Sequence, residues 1–263
     1  MRRKSLAVVV PFLLVLAACG GTDGVVEVGD DEALLQITSE GGFAPVELSL
    51  SSGPRYTLLG DGRLIFSGVQ TMEFPGPLLP PYMVARLDGN QMGAVLAKVE
   101  DIGLPDITDE LDNSAANFVA DAGTEVITFW DEGGQHRYAV YALGIEESPS
   151  GRNAAFLELI ETFDRFTAEA TAEPYDAVRV RIVAGVGLVD PDFADVREWP
   201  LGTTDLSEWS ELANGWRCTL QEASILDVFA DATQTTTWKH PDGVSEPLSL
   251  LVRPLHPGEP ECP

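Results

Sequence analysis

Arg55-Tyr56-Thr57-Leu58-Leu59-Gly60-Asp61-Gly62-Arg63-Leu64-Ile65-Phe66 is the stretch that decides the fold. Two runs of strand-forming residues flank Gly60-Asp61-Gly62. An Asp-Gly pair suits a tight turn whose residues need positive φ, so the stretch predicts a β-hairpin. Towards the N-terminus, Leu34 to Thr38 and Val46 to Leu50 alternate apolar and polar residues on either side of Gly41-Gly42, which predicts two more strands. Towards the C-terminus, Phe74-Pro75-Gly76-Pro77-Leu78-Leu79-Pro80-Pro81 reads as a rigid connector.

The same logic carries through the rest of the chain. Tyr82 to Leu87 reads as a strand. Asn90 is the expected cap of a helix whose apolar face is Met92, Val95, Leu96 and Val99 and which ends near Gly103. Asp106 to Asn113 reads as an acidic loop or short helix. Thr124 to Trp130 and Arg137 to Leu143 form a second expected hairpin around Glu132-Gly133-Gly134. Ala155, Phe156, Leu159, Ile160, Phe163 and Phe166 recur at helical spacing between Arg152 and Glu169. Val178, Val180 and Ile182 alternate with Arg179 and Arg181, which predicts a strand with one wet face. Gly185 to Asn214 is irregular. A strand at Trp216 to Leu220, a helix at Glu222 to Asp231, and a hairpin of Thr235 to Lys239 with Ser249 to Arg253 complete the chain.

Hairpins dominate, so the fold class is α+β, mostly antiparallel sheet with about three helices. Tyr82 to Leu143 and Trp216 to Leu255 both read strand, helix, hairpin. The expectation is two related units, by duplication or by convergence, within sub-units 33–170 and 175–263.

The first residues set location. Arg2-Arg3-Lys4 is followed by an apolar run from Leu6 to Ala18, the pattern of an export signal and too short for a membrane span. The run ends in Leu16-Ala17-Ala18-Cys19, which resembles a bacterial lipobox. The resemblance covers about the first 20 residues. It implies a signal peptide over 1–18, acylation of Cys19, and a domain tethered to the outer face of the cell membrane. Residues 19–32 are Gly-rich, acidic and aperiodic, and read as a flexible tether.

Charge excludes some functions. The chain carries −26, and losing three basic signal residues makes it −29. Such a surface repels nucleic acid and anionic headgroups. Beyond Cys19 there are two cysteines, Cys218 and Cys262, and an even pair in an exported protein reads as a disulfide.

Catalytic motifs are missing. The sequence has no Gly-x-Ser-x-Gly, His-Glu-x-x-His, Cys-x-x-Cys or phosphate loop. Of its three histidines, His136 and His240 lie at or near hairpin turns and read as exposed, and His256 lies between Leu255 and Pro257 in the tail. Carboxylate catalysis needs only two acids, but among 42 no pair stands out. No cofactor is implied. Calcium is the one open metal, with Asp190, Asp192 and Asp195, or Asp106, Asp109, Glu110 and Asp112, as oxygen donors. Trp199, Trp209 and Trp216 cluster in the irregular stretch. They are the candidate binding residues, either as a platform for sugars or a protein partner, or as core filler. The expected function is a cell-envelope lipoprotein with a non-catalytic binding or scaffolding domain. Its expected partners are cell-wall polymer or another envelope protein. The alternatives are an envelope hydrolase using carboxylates and a calcium- or substrate-binding lipoprotein.

Overall fold

The structure, a computed structural model, describes residues 28–70, 72–145, 149–187, 192, 195–202, 205–243 and 245–262. Cys19, most of the tether and Asp190 lie outside the described residues. The first part of the chain contributes β1 (Ala33–Gly41), α1 (Val46–Ser51), β2 (Tyr56–Leu59), β3 (Arg63–Ser67), β4 (Tyr82–Arg86), α2 (Gly89–Ile102), β5 (Asp109–Asp112), β6 (Gly123–Asp131), β7 (Gly134–Tyr141), α3 (Gly151–Glu169) and β8 (Glu173–Pro174). Its strands form an eight-stranded sheet in the order β5-β7-β6-β1-β2-β3-β4-β8. The remainder contributes β9 (Arg179–Gly185), β10 (Asp195–Arg197), β11 (Ser210–Glu211), β12 (Arg217–Glu222), β13 (Thr236–Trp238) and β14 (Leu248–Pro254). These form a six-stranded sheet, β10-β13-β14-β9-β12-β11. Neighbours run antiparallel except β5 beside β7 and β10 beside β13. The fold is α+β, as expected. Among the described residues no helix is long and apolar enough to cross a membrane.

The founding hairpin pairs Tyr56 with Phe66 and Leu58 with Leu64. Its turn is locked by Asp61, which accepts from the Arg63 backbone at 3.1 Å, from Arg63 Nε at 2.8 Å and from Arg86 Nη2 at 2.8 Å. Burial alone would raise the Asp61 pKa, but these hydrogen bonds hold it below the ordinary carboxylate value. Period-2 alternation sends Tyr56, Leu58, Leu64 and Phe66 to the face covered by Val95, Val99 and Ile102 of α2 and Phe156, Leu159 and Phe163 of α3. Leu59 and Ile65 face the other way, with Tyr82.

Several elements differ from their sequence reading. Val46 to Leu50 is helix, not strand. Five residues are too few to separate the two periods. Pro45 at the N-cap suits a helix start, and Ser52 closes the turn by donating its hydroxyl to Leu48 O at 2.6 Å. The cap of α2 is Asp88 instead of Asn90. Asp88 accepts from the backbone of Asn90 and Gln91, and the Gln91 side chain accepts from the Asp88 backbone, a full capping box. The acidic stretch supplies β5, an exposed edge strand held by backbone pairing to β7. The last expected helix is a run of 3-10 turns over Ala223–Phe229. The strand-helix-hairpin units are also unlike in space. β4 and β6 are separated by three strands, whereas β12 and β14 are separated by β9 alone.

The largest difference is on β9. Val180 and Ile182 are buried as expected, but Arg181, expected on a wet face, is only 5 % exposed. The C-terminal tail covers that face. Arg181 donates from Nε to Glu261 O at 3.0 Å and from Nη2 to Pro260 O. Burial away from water lowers its pKa to about 10. Disulfide Cys218–Cys262 ties the tail to β12. The tail also reaches the first sheet. Gln36 donates to Pro257 O at 2.7 Å, and Tyr175 donates its hydroxyl to Leu255 O at 3.2 Å. His256, a tail residue in sequence, is buried, and His136, read as an exposed turn residue, has a side chain only 12 % exposed beside Asp131. His256 Nδ1 lies 3.0 Å from Thr57 Oγ1, between the edges of Tyr82 and Tyr175. Beside it Arg253 grips Glu259 through two hydrogen bonds of 2.8 and 2.5 Å.

Candidate functional site

The parallel pair β10–β13 opens a cleft at one end of the six-stranded sheet. Asp195 to Arg197 pair with Thr236 to Trp238, so the loops that follow both strands leave side by side. Lys239 N donates to Arg197 O at 2.8 Å, and Lys239 Nζ forms an ion pair with Glu198. One wall is Glu198 to Gly202 and the other is Lys239 to Gly243. Asp205, Leu206, Ser207 and Arg217 close the floor. The cleft has a volume of about 870 Å³.

Its polar groups are held before any ligand arrives. Asp205 caps the short 3-10 turn Leu206–Glu208 by accepting from Ser207 N at 2.8 Å. The hydrogen bonds from the Ser207 side chain and backbone lower the Asp205 pKa. His240 Nδ1 lies 2.8 Å from Asp242 Oδ1 and 3.2 Å from Asp242 N, so it faces either the carboxylate as a donor or the backbone N–H as an acceptor. Asp242 also accepts from Ser245 N at 2.9 Å. Arg217 donates from Nη1 to Trp209 O at 3.4 Å and lies 3.8 Å from Glu211.

The tryptophans do not form a three-ring platform. Trp209 and Trp216 are buried at 7 % and 2 % exposure and offer no face to a partner. Trp216 fills the space under the irregular stretch and lies flat on Gly185, where a Cβ would meet its ring at 2.3 Å. Trp209 joins the core of the second sheet with Phe229 and Trp238. Trp199, half-buried, packs on Trp209 at 6.2 Å and borders the cleft. Its Nε1–H meets no acceptor among the described residues.

The expected calcium ligands do not come together among the described residues, where no cluster of three metal-ligating side chains occurs. Asp195 Oδ2 takes Arg197 Nε at 2.6 Å and Thr236 Oγ1 at 3.3 Å. In the other acidic stretch Asp109 pairs with Arg137 and Glu110 with Arg152. Asp112 accepts from Ser114 N and from Asn153 Nδ2. Asp109, Glu110, Asp112 and Asp195 thus each already take a donor, and Asp190 lies outside the described residues.

Sequence reasoning missed the Lys239 to Gly243 wall, although Pro241-Asp242-Gly243 marks a turn after a strand. It also missed the buried Arg253–His256–Glu259 group. Charged residues inside a proline-rich tail were the available signal there. The chain matches no protein-family model, no curated protein and no solved structure.

Proposed function

We propose that the protein is a lipid-anchored cell-envelope protein whose folded domain binds a cell-wall polymer in the cleft above Trp199, without catalysis. The observation that carries this reading is the cleft itself. Trp199 lies beside Asp205, fixed by a hydrogen bond, and the Lys239–Glu198 ion pair. Aromatic rings offer sugars an apolar face, and fixed charged groups pair with hydroxyls at little ordering cost. A general acid for glycoside hydrolysis needs a carboxyl kept protonated near neutral pH. Asp205, whose pKa is lowered by its hydrogen bonds from Ser207, does not supply such an acid. The anchor rests on Leu16-Ala17-Ala18-Cys19, and the disulfide suits an oxidising compartment.

Two measurements test the reading. Trp199→Ala is expected to reduce co-sedimentation with purified cell-wall glycan at least tenfold. Unchanged binding, or release of reducing ends by the wild type, overturns it. Cys19→Ser is expected to move the protein from the detergent phase to the aqueous phase. A wild type already found in the aqueous phase overturns the anchor.

A further inference from the structure

Strand register gathers several loops at one end of the eight-stranded sheet. Gly41 of β1 stands opposite Gly123 of β6, and Thr124 opposite Tyr141 of β7. The chain after β1, before β6 and after β7 therefore leaves at the same end. So does the chain before β2 and after β3, because Ile37 faces Tyr56 and Tyr56 faces Phe66. These loops carry exposed apolar side chains: Phe43 and Phe118 at 92 % and 88 % exposure, with Leu48, Val69, Met72 and Ile145 also exposed on loops at this end. β1, β6 and β7 are neighbours about 4.8 Å apart, so the loops that carry Phe43, Phe118 and Ile145 leave the sheet within about 10 Å of one another. Phe43 N also donates to Asp121 O at 3.3 Å, which ties two of the loops together. Single exposed apolar residues are ordinary, whereas a set at one end marks an interaction surface.

Charge selects the occupant. Residues 42–52, 68–76 and 113–122 contain no lysine or arginine, and each stretch holds one carboxylate: Glu47, Glu73 and Asp121. Cations close to this end are engaged: Arg55 with Asp164, Arg137 with Glu40 and Asp109, and Arg253, beside Gly53, with Glu259. The surface is thus apolar with a negative edge. A second copy of a chain at −26 brings the same sign to the contact, and an anionic bilayer is repelled alike. The N-terminal segment joins the sheet at the opposite end, where Gly60 N donates to Glu32 O at 3.1 Å. Nine-residue β1 separates the two ends by about 30 Å. We infer that this end of the first sheet docks a protein partner offering an apolar face edged with lysine or arginine.

The test uses the full chain in the cells that naturally make it. A photo-cross-linking phenylalanine analogue replaces Phe43 or Phe118, with Val178 and Val196, exposed on the part of the chain that builds the second sheet, as control positions. The expected result is a protein adduct at least tenfold stronger from 43 and 118 than from the controls. Mass spectrometry should map it to one partner segment that is apolar with lysine or arginine beside it. The yield should fall at high salt. An adduct of twice the chain's own mass, an adduct to lipid, a mapped segment without basic residues, or equal yields from all four positions each overturns the inference.

Discussion

Two histidines in the same stretch of chain, His240 and His256, have the same kinds of neighbour and opposite surroundings. His240 stands with Asp242 and Lys239 on the open wall of the cleft. His256 stands with Glu259 and Arg253 in a dry seam between the two sheets, where the Arg253 and Glu259 side chains are 3 % and 6 % exposed. What differs is the solvent. In the cleft water screens each charge, so an ion pair contributes little to stability and stays available to a ligand. In the seam each charge depends on its partner, and losing one leaves the other stranded. The residue types do not divide the regions into a proposed binding cleft and a seam that holds the fold; burial does.

The sharpest way to break that comparison is Glu259→Ala. It removes the acceptor of both Arg253 hydrogen bonds and of the His256 backbone N–H. The expected loss is ~3–5 kcal/mol in urea unfolding, the usual cost of a buried charge without its partner. The double change Arg253→Met with Glu259→Met should recover much of that loss, since the pair's desolvation cost disappears with it. A loss below ~1 kcal/mol for the single change would put the pair in the class of exposed ion pairs.

Removing the disulfide comes next. Cys262→Ser opens a link between residues 44 apart, and the chain-entropy model allows up to about 4 kcal/mol. The disulfide and the buried ion pair hold the same tail, so their losses should not add. Urea unfolding of the combined variant should show a loss smaller than the sum of the two. Full additivity would mean that the tail does not act as one clasp.

The third expected effect is on acid stability. Burial lowers the His256 pKa to about 4, against an ordinary value of 6.5. Between those two values the unfolded chain binds the proton and the folded chain does not. Stability is therefore level above pH 6.5 and falls as the pH drops towards 4, by ~3 kcal/mol from this group. Glu259 is lowered by its hydrogen bonds to Arg253 despite burial, so its contribution is lost at still lower pH. His136 is raised by Asp131 despite its own burial and acts in the opposite sense. The informative curve is thus wild type minus His256→Gln between pH 7 and 4. A flat difference would show that the ring is hydrated.

How much of this was legible in the sequence follows from the range of the contacts involved. The hairpin at Gly60-Asp61-Gly62 and the helix Gly151–Glu169 are local patterns, and both stand where the sequence puts them. The cysteine pair was legible because only two cysteines remained. The burial of Arg181 and His256 was not, because it depends on the tail crossing to strands far away in sequence. Gln36 and Pro257 are 221 residues apart. Alternation on β9 was read as an apolar face and a wet face, since nothing local says that a proline-rich tail will lie over the arginines. The cleft was half legible. Trp199 stood out, but the wall Lys239 to Gly243 is brought beside it by a parallel pairing that leaves no mark in the sequence.

The smallest expected effect completes the contrast. Lys239 and Glu198 form an ion pair across the mouth of the cleft, with side chains 57 % and 81 % exposed. Water competes for both groups, and holding two flexible side chains in one geometry costs entropy. Lys239→Ala should therefore change unfolding stability by no more than ~0.5 kcal/mol. The same change removes a cation from the lining of the cleft, so its effect should appear in glycan binding instead. A Lys239→Ala loss above ~2 kcal/mol would place the cleft wall among the elements that hold the fold and end its contrast with the seam.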